Sequence, residues 1–173
     1  MERNDEIRAD FKEMIESYPQ YKIYYVDESG IDKCIYREYG YAPIGVGITG
    51  KISGKKFKRT NIVAAKCGEK IIAPLMYEGI TDSILFECWF EKMLLKAIPK
   101  YSIIVLDNAS IHRKPMLHKL ARNADCEVLF LPPYSPDLNP IEQFWGWLKI
   151  RLRKIIDGFD SLDGAIMDCF KLI

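Results

Sequence analysis

Asp27, Asp107 and Glu142 stand beside apolar stretches of the chain: YKIYYVD, YSIIVLD, and the NPIE that follows CEVLFLPPYSPDL. Three carboxylates brought to one place repel one another, and a divalent cation resolves that repulsion. Hard oxygen ligands of this kind suit Mg²⁺ or Mn²⁺. Two such ions about 3.5–4 Å apart activate one oxygen nucleophile and stabilise the leaving oxygen of an in-line phosphoryl transfer. Each residue also has an ordinary role open to it. Asp27 in DESG fits a turn, Asp107 in DNAS fits an Asx turn, and Glu142 near a helix start serves the cap and dipole. Glu28 is a second candidate for the place of Asp27, although strand alternation puts Ile23, Tyr25 and Asp27 on one face and Glu28 on the other.

The elements that would position these groups can be read from hydrophobic period and punctuation. Ile7, Phe11, Met14, Ile15 and Tyr18 recur at helical spacing and predict an amphipathic helix within residues 1–20. Residues 21–29 are aromatic and β-branched, stop at Ser-Gly, and predict a strand; segments near 34–41, 60–66 and 70–77 have the same character. A helix is expected over 81–98, ending before Pro99, and a strand buried on both faces over 101–108. A helix at 115–124 and a second buried strand at 126–133 follow. Residues 139–154 then form a helix, with Asn139 as N-cap and Pro140 at its first position, before a last helix at 161–170. Antiparallel strands first, then alternating helices and parallel strands, make an α/β mixed sheet with helices on both faces. In such sheets the carboxyl ends of parallel strands form the ligand-binding edge. Asp27, Asp107 and Glu142 can converge there.

Composition sets the remaining bounds. Of 173 residues, 49% are hydrophobic and 28% charged, the balance of a globular domain. No apolar run approaches the roughly 20 residues that span a bilayer, and the polar, acidic N-terminus is not a signal peptide. Five cysteines without a CxxC pair, and only two histidines, argue against zinc or a disulfide framework and for reduced thiols in a cytosolic protein. The net charge is +1, but it is unevenly spread. KISGKKFKR (51–59) and KIRLRK (149–154) contain only basic charges, which is how a phosphate-binding surface is built.

LPPYSPDLNPIEQFWGWLK (131–149) resembles the mariner-like superfamily of insertion-sequence transposases, in which a PYSPxLNPIE stretch supplies the third carboxylate. LDNASIH (106–112) is similar to that family's second motif and YVDES (25–29) to its first, and the 34 residues between Asp107 and Glu142 are a usual spacing there. The resemblance covers roughly residues 20–155. It implies an RNase H-like DDE catalytic domain over 21–173, preceded by the helix of residues 1–20. It also implies two Mg²⁺ or Mn²⁺ ions held by Asp27, Asp107 and Glu142, and cut-and-paste strand transfer of DNA. An RNase H-like nuclease or resolvase, or a catalytically inactive remnant that binds DNA or a partner, would use the same fold.

Partners follow from the same reading: transposon ends and target DNA, a homodimer on that DNA, and no membrane. Lys55, Lys56, Lys58, Arg59, His112, Lys149, Arg151, Arg153 and Lys154 are the candidate DNA contacts, all of them suited to phosphates. Such transposases normally begin with helix-turn-helix modules. Here about 20 residues of net charge −3 precede the first strand, with no basic recognition helix. End recognition is therefore expected from a missing segment or from a separate helix-turn-helix polypeptide. The expected location is the cytoplasm, at the nucleoid.

Overall fold

In a computed structural model, residues 5–19, 22–31, 43–45 and 58–172 are described. Helix α1 (Asp5–Glu16) leads into β1 (Ile23–Ile31), then β2 (Thr60–Cys67) and β3 (Lys70–Tyr77). Next, α2 (Ser83–Trp89) runs through a π-helical turn (Phe90–Leu94) into the short α3 (Leu95–Ala97). Asp82 starts this rod by accepting a hydrogen bond from the Leu85 amide at 2.8 Å. Then come β4 (Ile103–Leu106), α4 (Lys114–Asn123), β5 (Glu127–Phe130), a 3₁₀ turn (Pro136–Leu138), α5 (Ile141–Ile155) and α6 (Leu162–Phe170). The strand expected near 34–41 lies outside the described residues.

The five strands are ordered β3-β2-β1-β4-β5. β1, β2 and β3 pair antiparallel, whereas β4 runs parallel to β1 and to β5. This is the expected mixed sheet. β4 is four apolar residues, all buried, because helices cover both of its faces. On one face Tyr24, Val26, Ile104 and Leu106 pack against Phe86, Trp89, Phe90 and Leu117. On the other, Ile23, Ile103 and Val105 meet Phe11 and Ile15 of α1, while Ile31, Ile62 and Ala64 meet α5 and α6.

Two local expectations need correction. In α1 the buried face is Arg8, Phe11 and Ile15, leaving Ile7 49% and Met14 36% exposed. Hydrophobic period alone rejects an arginine from a core face, but this guanidinium brings its own counterion, described below. Asn139 is also not the N-cap of α5: the helix starts after Pro140 without a side-chain cap. The Asn139 amide instead donates to the Val26 carbonyl at 3.3 Å, reaching across to β1.

Candidate active site

Strand register places the first two carboxylates. Tyr25 is level with Val105 across the β1–β4 pair, so two residues on, Asp27 is level with Asp107. Adjacent strands lie about 4.8 Å apart. β4 stops at Leu106 whereas β1 continues to Ile31, because Ser29 and Gly30 still pair with Ile62 and Asn61 of β2. Asp27 is therefore in mid-strand rather than at a strand end, but it sits where its parallel neighbour ends. Glu142 is the second residue of α5. All three line one cleft of about 300 Å³, walled by the loop Leu131–Pro136 and by Asn108, Ala109 and Asn139.

Each carboxylate is held differently. The Trp145 indole N–H donates to Asp27 Oδ2 at 3.1 Å. Burial, then the charges of Glu142, Glu28 and Asp107, push the Asp27 carboxyl up to about 7. Asp107 Oδ1 accepts from the Ala109 amide at 2.9 Å and lies 3.0 Å from His112 Nδ1. The other ring nitrogen of His112 is 3.1 Å from Glu28 Oε1. Burial alone would lower the His112 pKa, but these two carboxylates outweigh it and push it up to about 10. The imidazolium in turn holds Asp107 below its ordinary range. Glu142 is exposed at the cleft's edge.

The alternatives raised by the sequence separate here. Glu28 faces away from the cleft lining, toward His112 and the ring of Phe86, 4.3 Å from the imidazole. The His112 side chain has no exposed surface and both ring nitrogens are engaged, so the expected phosphate contact is not open to it; it orients Asp107 instead. Of the basic residues on α5, Lys149 and Arg153 are seven and eleven residues beyond Glu142, close to its helical face, and Lys154 is about 120° round. Arg151 falls about 180° away and is half-buried near Cys169 of α6, so it is turned from the cleft. Lys58, paired at 3.4 Å with Glu78, and Arg59 lie five or more residues before Ala64, which is opposite Asp27. At about 3.4 Å per residue the Arg59 backbone is roughly 17 Å from that position, although its guanidinium folds back over Gly30 of β1. Lys55 and Lys56 lie outside the described residues.

The sequence alone hid several residues that position the site. Asn108 donates to the Leu131 carbonyl at 2.5 Å and accepts from Lys114 at 2.6 Å, tying the end of β4 to the loop after β5. Arg8 grips Asp137 with both terminal nitrogens, at 3.2 and 2.5 Å, so α1 anchors the loop that walls the cleft. The only hint of this was an arginine at helical spacing from Phe11 and Ile15. Because Arg8 is 5% exposed, Asp137→Ala leaves a buried cation short of its partner. That change is expected to cost about 2 kcal/mol, read as a fall of several degrees in melting temperature. An unchanged melting temperature would mean that the pair does not hold the loop.

Residues 22–163 match the family model described as DDE superfamily endonuclease. The chain belongs to this family. Its RNase H-like fold recurs in solved structures that match this DDE endonuclease along most of its length. The Mos1 transposase paired-end complex with left transposon end superposes with a TM-score of 0.69 at 18% identity, covering 99% of this chain and 56% of that one. The Mos1 transposase catalytic domain with Raltegravir and Mn gives 0.66 at 16% identity, covering 99% and 84%. The catalytic core domain of BIV integrase gives 0.54 at 11% identity, covering 85% and 79%. An uncharacterized protein of Sinorhizobium fredii, y4pE/y4sA, is 37% identical over 62 residues, which are 33% of this chain and 44% of that protein. The DDE endonuclease chain thus spans about half the length of the S. fredii protein and of the full Mos1 transposase.

Among the described residues, no three His, Cys, Asp or Glu side chains close into a preformed metal cage. The three carboxylates share a cleft rather than a tight shell. The donor chemistry nevertheless fits a hard divalent cation: every charged group lining the cleft is a carboxylate, and burial and the neighbouring carboxylates push Asp27 up to about 7. The four cysteines among the described residues form no disulfide with one another, and no described helix is long and apolar enough to cross a membrane.

Proposed function

We propose that this chain is the catalytic domain of a transposase, cleaving DNA strands and transferring them for an insertion sequence with the help of divalent metal ions. The observation that carries this reading is that Asp27, Asp107 and Glu142 line one cleft, where the β1–β4 register, with Tyr25 level with Val105, carries the two aspartates to the same edge. Asp27, Asp107 and Glu142 would hold two Mg²⁺ or Mn²⁺ ions. When bound, those ions activate the attacking oxygen and neutralise charge on the leaving one. His112 and Trp145 keep Asp107 and Asp27 in orientation. Support also comes from the relatives of like fold, which include a Mos1 strand transfer complex and Mos1 paired-end complexes with Mn and with Mg.

DNA is the proposed substrate as transposon ends and as target, bound by a homodimer in the cytoplasm at the nucleoid. Lys149 and Arg153 continue the Glu142 side of α5 and meet phosphates along one strand, with Lys154 about 120° round from that side. Lys58 and Arg59 take phosphates farther out, and Lys55 and Lys56 are further candidates for phosphate contact. Basic groups of this kind suit phosphates rather than base edges, so end recognition falls to a separate helix-turn-helix segment or polypeptide. The chain by itself then binds DNA with little sequence preference and with affinity that falls steeply as salt rises. Titrations at two salt concentrations, against element-end DNA and a scrambled duplex, read both properties. A preference for the ends of about 10³-fold or more would show a sequence-reading element in this domain. The catalytic reading is tested by nicking of supercoiled plasmid: nicks are expected with Mg²⁺ or Mn²⁺ and none with EDTA. A plasmid left intact under all these conditions would refute it.

A further inference from the structure

We propose that Tyr134 is a base-stacking residue at the mouth of the cleft, holding a nucleobase next to the phosphate being cleaved. The proposal rests on the reading that this cleft acts on DNA. Tyr134 lines the same cleft as Asp27, Asp107 and Glu142, and its side chain is 66% exposed. Its backbone has φ 54, in the left-handed region that L side chains adopt at a cost in energy. Glycine or asparagine takes that conformation more readily. An aromatic ring kept in water on a strained backbone therefore asks for a reason outside the fold, because burying the ring does not offset the strain.

The surrounding loop is built to present the ring. Pro133 and Pro136 flank it and restrict φ on either side. Pro132 and Ser135 are buried, and the Ser135 hydroxyl donates to the Pro133 carbonyl at 3.1 Å. Asn108 fixes the Leu131 carbonyl and Arg8 fixes Asp137, so both ends of the loop are tied to the body of the protein. Tyr134 thus projects from a rigid lip, not from a loose one. The cleft beside it is lined with carboxylates, which select against a bare anionic partner. A nucleotide whose phosphate meets cations held by those carboxylates would bring its base, an uncharged π face, to the lip. Stacking on an aromatic ring accepts any base, which suits an active site that joins DNA to varied targets. The phenol oxygen has no part in this role; the ring does.

The test uses the whole chain and a short duplex ending in a few unpaired nucleotides, one of them 2-aminopurine. Binding is measured in Ca²⁺, a hard cation that carboxylates hold. Quenching of 2-aminopurine is expected with the wild-type chain and with Tyr134→Phe, and its loss with Tyr134→Gly. Affinity should fall on the order of tenfold for Tyr134→Gly and stay nearly unchanged for Tyr134→Phe. The melting temperature of Tyr134→Gly should not fall, since glycine adopts this backbone freely. Undiminished quenching and affinity in Tyr134→Gly would overturn the proposal. So would a phenylalanine variant as defective as the glycine one, or a glycine variant that melts several degrees lower, which would make the ring a prop for the loop. Plasmid nicking is scored on the same preparations. A chain that nicks DNA without ring-dependent quenching overturns the stacking site alone; ring-dependent quenching in a chain that never nicks supports the base site and counts against the cleavage reading.

Discussion

Asp107→Asn is expected to abolish metal-dependent nicking while the protein still folds. The geometry makes this substitution unusually clean. Asp107 Oδ1 receives the Ala109 amide and faces His112 Nδ1, which is protonated at neutral pH because its pKa is pushed up to about 10. Both neighbours are donors, so an asparagine placed here keeps its carbonyl oxygen toward them. Its NH₂ group then points into the cleft, where a cation requires an oxygen. The variant loses both the charge and the ligand atom. Metal assistance supplies several kcal/mol to phosphoryl transfer, so at about 1.4 kcal/mol per decade the loss should be roughly a thousandfold or more. Asp107 is half-exposed, so the melting temperature should drop by only a few degrees. Mn²⁺ should raise the melting temperature of the wild-type protein and not that of the variant, because a ligand stabilises only a state that binds it. Near-normal nicking by Asp107→Asn would remove Asp107 from the reaction.

The second large effect lies at Trp145. Its side chain is 1% exposed within the cluster of β1, β2, α5 and α6, yet its indole N–H reaches Asp27. Trp145→Ala should cost about 3–5 kcal/mol in transfer and cavity terms, a fall of roughly 10–15 °C in melting temperature for a domain of this size. Trp145→Phe separates the two roles. It keeps most of the packing and should melt close to wild type, but Asp27 loses the donor that orients it. Loss of such an outer contact typically weakens metal binding about tenfold or more, which a Mn²⁺ titration of the phenylalanine variant would measure. Unaltered Mn²⁺ affinity would reduce Trp145 to a packing residue.

What could be read from the sequence, and what could not, follows from the range of the interactions. The β4 run, IIVL, announces itself because a strand covered on both faces has little but apolar residues to offer, whereas β5, EVLF, expected to be buried likewise, lies at the sheet edge with Glu127 exposed and only Val128 buried. The same runs, with the Pro-rich segment from Leu131 to Pro136, locate the cleft wall. The register that sets Asp27 level with Asp107 is a pairing of residues 80 apart, and no local pattern encodes it. The burial of Arg8 is hidden from the sequence for the same reason: it depends on Asp137, 129 residues away. Asn139 has the composition of a cap, and only the fold shows that its amide is drawn off to Val26. His112 and Glu28 are both legible as polar residues near motifs. That they face each other through a buried imidazole needs the two faces of β1 to be known first.

The contacts that join α5 to β1 have a further consequence for the time at which the centre comes into being. Asn139 reaches Val26 across 113 residues, and Trp145 reaches Asp27 across 118. During synthesis the first aspartate and its strand emerge long before the helix that completes their surroundings, and chains acquire structure from the N-terminus onward. Closing loops of this length is slow and is rewarded only when α5 docks. A nascent or C-terminally clipped chain would therefore hold Asp27 and Asp107 without the third carboxylate, the indole or the cleft wall. If the three carboxylates act together as proposed, competence would arrive in one late step, and incomplete copies would not cut DNA.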